Sequence, residues 1–167
     1  MNEIIQEFGI KRENEEQRDG GAAVVFDPAT QEFAVGKQID DGLFRLFSGG
    51  VNSNEDIQEG TLREVTEESG LYDFLYIEKI AEAKAHYHNT LRNVNRIAHA
   101  TCFLVVLKSS DIKPVNLEAH EKFTLDWATS DEILANWESR NENKDYDHWI
   151  YFFNKSLERL RGLDYLK

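Results

Sequence analysis

Cysteine occurs once in this chain, at Cys102. A lone thiol cannot close an intrachain disulfide, which points to a reducing compartment. Within the run CFLVVL it reads as a buried strand residue rather than a nucleophile. Basic residues are scarce too: 19 Lys and Arg stand against 31 Asp and Glu, a formal net charge of −12. No basic cluster exceeds a pair such as Lys11-Arg12, so no nucleic-acid partner is expected. Long hydrophobic runs are missing. The longest, Cys102 to Leu107, is far too short to cross a bilayer. The opening MNEIIQEFGIKREN also lacks the basic-then-apolar order of a signal peptide. Repeats, low-complexity tracts and linkers are absent. What remains is the expectation of one cytoplasmic domain over 1–167, large enough for a full core, with no membrane association.

The information is concentrated between Gly49 and Leu71, in GGVNSNEDIQEGTLREVTEESGL. Ser53 or Asn54 can cap a helix, Glu55 and Asp56 suit its positive first turn, and Gly70 suits a left-handed stop. The helix expected between them runs about 15 residues, Glu55 to Ser69. At about 100° per residue, Glu64, Glu67 and Glu68 fall within roughly a 100° arc. Leu62 and Val65 point elsewhere and can anchor the helix on a core. An acidic run is by itself the ordinary mark of a solvated helix. Here the glycines and Arg63 stand in register with it, and clustered carboxylates repel unless a hard cation joins them; all-oxygen ligation favours magnesium or manganese. Arg63, four residues from both Glu59 and Glu67, can brace that face.

Elsewhere the pattern is strand-rich. Strands are expected over Glu3–Phe8, Gly21–Phe26, Glu32–Lys37 and Leu43–Phe47, with a polar loop over Lys11–Gly20 and a turn at Asp27–Thr30. Phe74–His88 ends in alternation: Ala81, Ala83, Ala85 and Tyr87 on one face, Glu82, Lys84, His86 and His88 on the other. Arg96–Lys108 is the most apolar strand, hence central, and Asn89–Asn95 joins the two as a hairpin. Glu121–Thr129 is a last strand. Ser130–Trp137, capped by Ser130 or Asp131, and Tyr146–Leu160 are helices. The order gives an α+β fold of layered type.

Gly49, Glu55, Arg63-Glu64-Val65, Glu67-Glu68 and Gly70-Leu71 together match G-x5-E-x7-R-E-U-x-E-E-x-G-U, with U aliphatic. This resembles the signature box of the Nudix hydrolases, and every position is met. The one departure nearby is Ser48, where family members commonly carry proline. The resemblance implies the Nudix fold, a mixed β-sheet sandwiched between α-helices. It implies metal-dependent hydrolysis of a pyrophosphate bond in a nucleoside diphosphate linked to another moiety. Mg2+ or Mn2+ is the implied cofactor, with Glu64, Glu67, Glu68 and the Ser48 carbonyl as ligands. Glu64 is also the leading candidate for activating water, with Arg63 orienting a neighbouring glutamate. Gly49 and Gly50 let the chain approach the ion, and Glu55 is expected to steady the loop–helix junction. The partner is a small nucleotide, the protein a monomer or homodimer.

Family enzymes often add an acidic residue from a later loop, which here makes Glu118 and Glu121 the candidates, beside His120; an ordinary polar loop is the plain alternative. His86 and His88 share a strand face, as a metal pair or as a hydrogen-bonded surface pair. Trp127 and Trp137 are expected in the core. Tyr87 sits close to the tyrosine of the diadenosine polyphosphate hydrolases, making a dinucleoside polyphosphate a candidate substrate; the plain alternative is a strand aromatic packed on the sheet. The NADH-type motif SQPWPxS, the downstream proline of the ADP-ribose type and the coenzyme A-type sequence are absent. A Nudix-fold sensor that binds without cleaving is the rival, but such modules usually lose the glutamates kept here.

Overall fold

Two runs of apolar residues, GGAAVVFD and the second half of VNRIAHATCFLVVL, set the architecture, because a strand buried on both faces needs cover on both sides. In the computed structural model, which describes residues 5–52, 54–119 and 121–167, they are β3 (Gly20–Asp27) and β8 (Val94–Leu107). They pair in parallel, from Gly20 opposite Ala100 to Phe26 opposite Val106. The other strands are β1 (Gln6–Phe8), β2 (Glu16–Gln17), β4 (Glu32–Gln38), β5 (Phe44–Arg45), β6 (Phe47–Gly49), β7 (Phe74–Asn89) and β9 (Phe123–Ala128). The sheet runs β1-β7-β8-β3-β4-β5; β2 adds to β8, β6 to β3 and β9 to β4. The hairpin of β7 and β8 forms as expected, closing at Asn89 opposite Val94.

Alternation divides the core in two. Ala22, Val24 and Phe26 of β3 and Cys102, Leu104 and Val106 of β8 point to one face. There they meet α2 (Ser130–Glu138) and α3 (Asp147–Gly162) through Ile133, Trp137, Phe152, Phe153 and Leu160. Ala23, Val25, Val105 and Leu107 point to the other face, against Val65 and Leu71 at α1 (Ile57–Ser69). The result is a mixed sheet between helices, an α+β fold. Trp137 is fully buried and its indole N–H donates to the Phe44 carbonyl at 2.7 Å. Truncating it to alanine removes both, a loss of about 3–5 kcal/mol. Trp127 is only partly buried. Among the described residues no helix is long and apolar enough to cross a membrane.

Four local expectations change. Glu3 lies outside the described residues, and the first strand is seen over Gln6–Phe8. The 11–20 loop contains β2, two residues long and too short to leave a pattern. Leu43–Phe47 is two strands, because the chain leaves β4 and joins β3 on either side of the buried Leu46. Helix caps move by a residue or more. Ser53 lies outside the described residues, Asn54 is left-handed with φ 69°, and Asp56 caps α1 by accepting the Glu59 N–H at 2.8 Å. Thr129 caps α2 in a reciprocal box with Glu132.

Candidate active site

The box helix is held at both ends by the chemistry its sequence carries. Asp56 closes the N-terminus, and Gly70, at φ 85°, donates its N–H to the Thr66 carbonyl. Val65 anchors the middle with no exposed surface. The next turn over presents Glu64 and Glu68, one turn apart, to the strand end at Ser48 and Gly49. Space there is tight. A Cβ on Gly49 would lie 2.4 Å from the Glu64 Cδ, so only glycine admits the carboxylate. Ser48 donates its backbone N–H to Glu68 Oε1 at 2.9 Å.

A third carboxylate arrives from the loop before β9. One oxygen each from Glu64, Glu68 and Glu121 lie within 4.8 Å of one another. Burial raises the pKa of Glu68 well above the ordinary carboxylate value, and the hydrogen bond and charge of Glu121 push the same way. Glu64 is also raised: burial outweighs the Arg63 charge beside it. Three carboxyl groups that each bring an oxygen to one place, two of them with raised pKa, fit a hard divalent cation. The donor set therefore matches the metal expected from the box.

Arg63 lies beside this group rather than in it. Nε and Nη2 donate to the two oxygens of Glu55 at 2.9 and 3.2 Å. Nη1 donates to Glu64 at 2.9 Å and to Glu67 at 3.1 Å, and Nη2 reaches the Gly50 carbonyl at 3.3 Å. These bonds raise the pKa of Arg63 further and lower that of Glu55. Glu55 also accepts the Asn52 N–H at 3.0 Å, so it ties the loop to the helix. Glu67 stands apart from the three-carboxylate group, on Arg63 at the rim, with its side chain about a third exposed.

The carboxylates open into a cavity of about 140 Å3, which Ser48, Gly49, Tyr87, Glu118 and Glu121 also line. Small residues make the space: Gly20, Gly21 and Ala22 from β3, Ala98 and Ala100 from β8. Glu118 is at the exposed mouth, 3.5 Å from Arg92, and its N–H donates to Glu121 at 3.0 Å. Tyr87 is at the inner wall, with its ring stacked on His148 at 5.1 Å. Burial lowers the His148 pKa to about 3, so that imidazole is neutral. The alanines next to Tyr87 leave no open space, since Ala81 and Ala83 are covered by the apolar face of α3.

His86 and His88 do not converge on a common site. His86 is buried between Glu15, 2.8 Å from Nδ1, and Glu7, 2.9 Å from Nε2, while His88 bonds Asn95. His120 lies outside the described residues. Cys102 is fully buried in the core, which raises its thiol pKa. The cavity also holds residues that the sequence did not single out: Arg45, Arg96, His148 and Trp149. For Arg96 a signal existed. It is in phase with Ala98, Ala100 and Cys102, so the alternation places an arginine on the inner face of the strand.

Comparison with known proteins bears on the family and the fold. The model of the NUDIX domain family matches residues 17–150. Nudix hydrolase 6 of Arabidopsis thaliana is 26% identical over 158 residues, 92% of this chain and 52% of that protein. The chain thus spans about half the length of this curated relative. Among solved structures, the NUDIX domain of Shewanella oneidensis NrtR, complexed with ADP ribose, superposes with a TM-score of 0.62 at 17% identity, covering 87% of this chain and 90% of that one. A C. elegans Ap4A hydrolase binary complex gives 0.61 at 18% identity, over 87% and 98%. At these identities the structural likeness speaks for the fold.

Proposed function

This chain belongs to the Nudix family, and from that premise we propose that it is a pyrophosphohydrolase acting on a nucleoside diphosphate linked to another moiety. The observation that carries the reading is the convergence of Glu64, Glu68 and Glu121 at the floor of a cavity beside the Gly49 turn. Glu64, Glu68, Glu121 and the Ser48 carbonyl are the oxygens proposed to hold magnesium or manganese, with Glu67 in support from the Arg63 fork. A bound divalent cation neutralises pyrophosphate charge and makes a bound water more acidic.

The chain's own groups do the rest. Water attacks one phosphorus, the bridging P–O bond breaks, and the bond electrons leave with the departing phosphate. Glu64 is the proposed acceptor of the water's proton, since burial raises its basicity and Gly49 leaves it room. Arg63 fixes the rotamer of Glu64 without facing substrate. Tyr87 and Glu118 line the route inward and are proposed substrate contacts. A dinucleoside polyphosphate is the first candidate to try. The test is phosphate release from a panel of nucleotide sugars, dinucleoside polyphosphates and nucleoside triphosphates, with magnesium and with excess chelator. Cleavage of one class with magnesium alone is expected; no cleavage of any, or full cleavage in chelator, removes the reading.

A further inference from the structure

The cavity is lined by charges of both signs. The carboxylate group is one set. Arg96, Arg45 and Arg18 are the other, in a chain that is otherwise strongly acidic. Arg96 stands opposite Tyr87 across the hairpin, and is 6% exposed. Its Nε is buried and has no hydrogen-bond partner among the described residues. Arg45 lies 5.5 Å over the Trp149 ring and donates to Gln38 at 2.9 Å; burial lowers its pKa although the charges of Glu68 and Glu121 oppose this. Arg63, by contrast, directs its donors to three carboxylates on the other side of the box.

A guanidinium stays charged at any working pH, and a buried charge without a counter-charge is a large destabilisation. Folds seldom keep one unless something else satisfies it. Here the arginine that carries the unsatisfied donor lines a cavity, together with a neutral His148 and small side chains that leave space. We propose that this part of the cavity, walled by Arg96, Arg45 and Tyr87, is a second anion subsite, which takes a phosphate group of the substrate outside the pyrophosphate under attack. The substrate class then narrows to nucleotides carrying a further phosphate, in a longer phosphate chain or on a phosphorylated sugar, over those linked to an uncharged sugar. The inference rests on the hydrolase reading for what lies at the carboxylate group. The subsite itself is tested without turnover.

The experiment is thermal melting of the metal-free protein in chelator, titrated with inorganic phosphate at constant ionic strength held with sodium chloride. Wild type should melt higher as phosphate is added. Arg96→Met, which keeps the stem and removes the charge, should melt higher than wild type in phosphate-free buffer and respond to phosphate at least about tenfold more weakly. Arg96→Lys keeps the charge but loses the planar fork, so it should fold and need at least about fivefold more phosphate for the same rise. Tripolyphosphate and ribose 5-phosphate, titrated in parallel, distinguish a phosphate chain from a phosphorylated sugar by which binds tighter; both should lose affinity in Arg96→Met. A wild type indifferent to phosphate overturns the proposal. So does an Arg96→Met protein that responds like wild type. A variant melting below wild type in phosphate-free buffer, or failing to fold, would assign Arg96 to the fold instead, and an unchanged response in Arg96→Lys would also reject the subsite.

Discussion

Glu68 accepts the backbone N–H of Ser48 at 2.9 Å, so a box carboxylate is tied to the turn whose glycine makes room for Glu64. Glu64→Gln and Glu68→Gln should each lower kcat by at least about a hundredfold, the usual scale for a positioned group. Glu121→Gln should do the same, since it completes the three-carboxylate group. Each variant should remain folded, and melt no lower than wild type without metal, because each relieves crowding between buried acids. Circular-dichroism melts and steady-state kinetics on a substrate the panel identifies check both parts; near-wild-type turnover in all three would move the chemistry elsewhere.

Gly49→Ala and Gly50→Ala should differ sharply. A Cβ at Gly49 meets the Glu64 carboxyl at 2.4 Å, whereas at Gly50 it meets the flexible end of Arg18 at 3.0 Å. Displacing a catalytic group by about 1 Å can cost about a hundredfold, so Gly49→Ala should lose that much in kcat. Gly50→Ala should lose less than about tenfold. Equal kinetics in the two variants would show that the turn does not set the Glu64 position.

Arg63 and Glu67 separate support from chemistry. Only a planar fork spans Glu55, Glu64 and Glu67 together, so Arg63→Lys should cut kcat by about tenfold or more with KM little changed. Glu67→Gln should cost less than Glu64→Gln, since Glu67 lies outside the carboxylate group. A Glu67→Gln loss as large as that of Glu64→Gln would place Glu67 among the essential ligands.

Stability should depend on pH through His86. Burial pulls its pKa down, but the hydrogen bonds to Glu7 and Glu15 outweigh this and hold it above the ordinary 6.5. A raised folded pKa means its contribution is complete below 6.5 and lost as pH rises through the folded value. Glu7 and Glu15 are lowered from 4.5, so theirs is lost as pH falls through their folded values. Urea midpoints measured from about pH 4 to 9 should therefore peak in between. His86→Gln should flatten the alkaline side; an unchanged slope would mean that another group titrates there.

The parts legible in the sequence were those whose cause is local. The spacing of Gly49, Glu64, Glu68 and Gly70 is a property of one helix and its stops, and β3 and β8 announce themselves by unbroken apolar runs. His86 shows the opposite case. Alternation puts it on the outer face of β7, and only residues 71 and 79 positions earlier in the chain bury it there. Asp56 competes as a cap with Asn54 two residues away, and residue type alone does not decide between them. Arg45 has no local pattern that marks it, and its place beside the cavity depends on α3, from the far end of the fold, which brings Trp149 over the same space.

That closing wall is also made after the strands it covers. At about 5–20 residues per second, the roughly 40 residues between Leu107 and Asp147 take on the order of 2–8 s to appear. Throughout that interval the box helix can already sit on its face of the sheet, while Phe26, Phe33 and Leu104 on the opposite face wait for Phe152 and Phe153. A nascent chain of this protein therefore offers a sticky, aromatic-rich surface for seconds, a natural client interval for a chaperone. Slowing translation just before α3 should lengthen it.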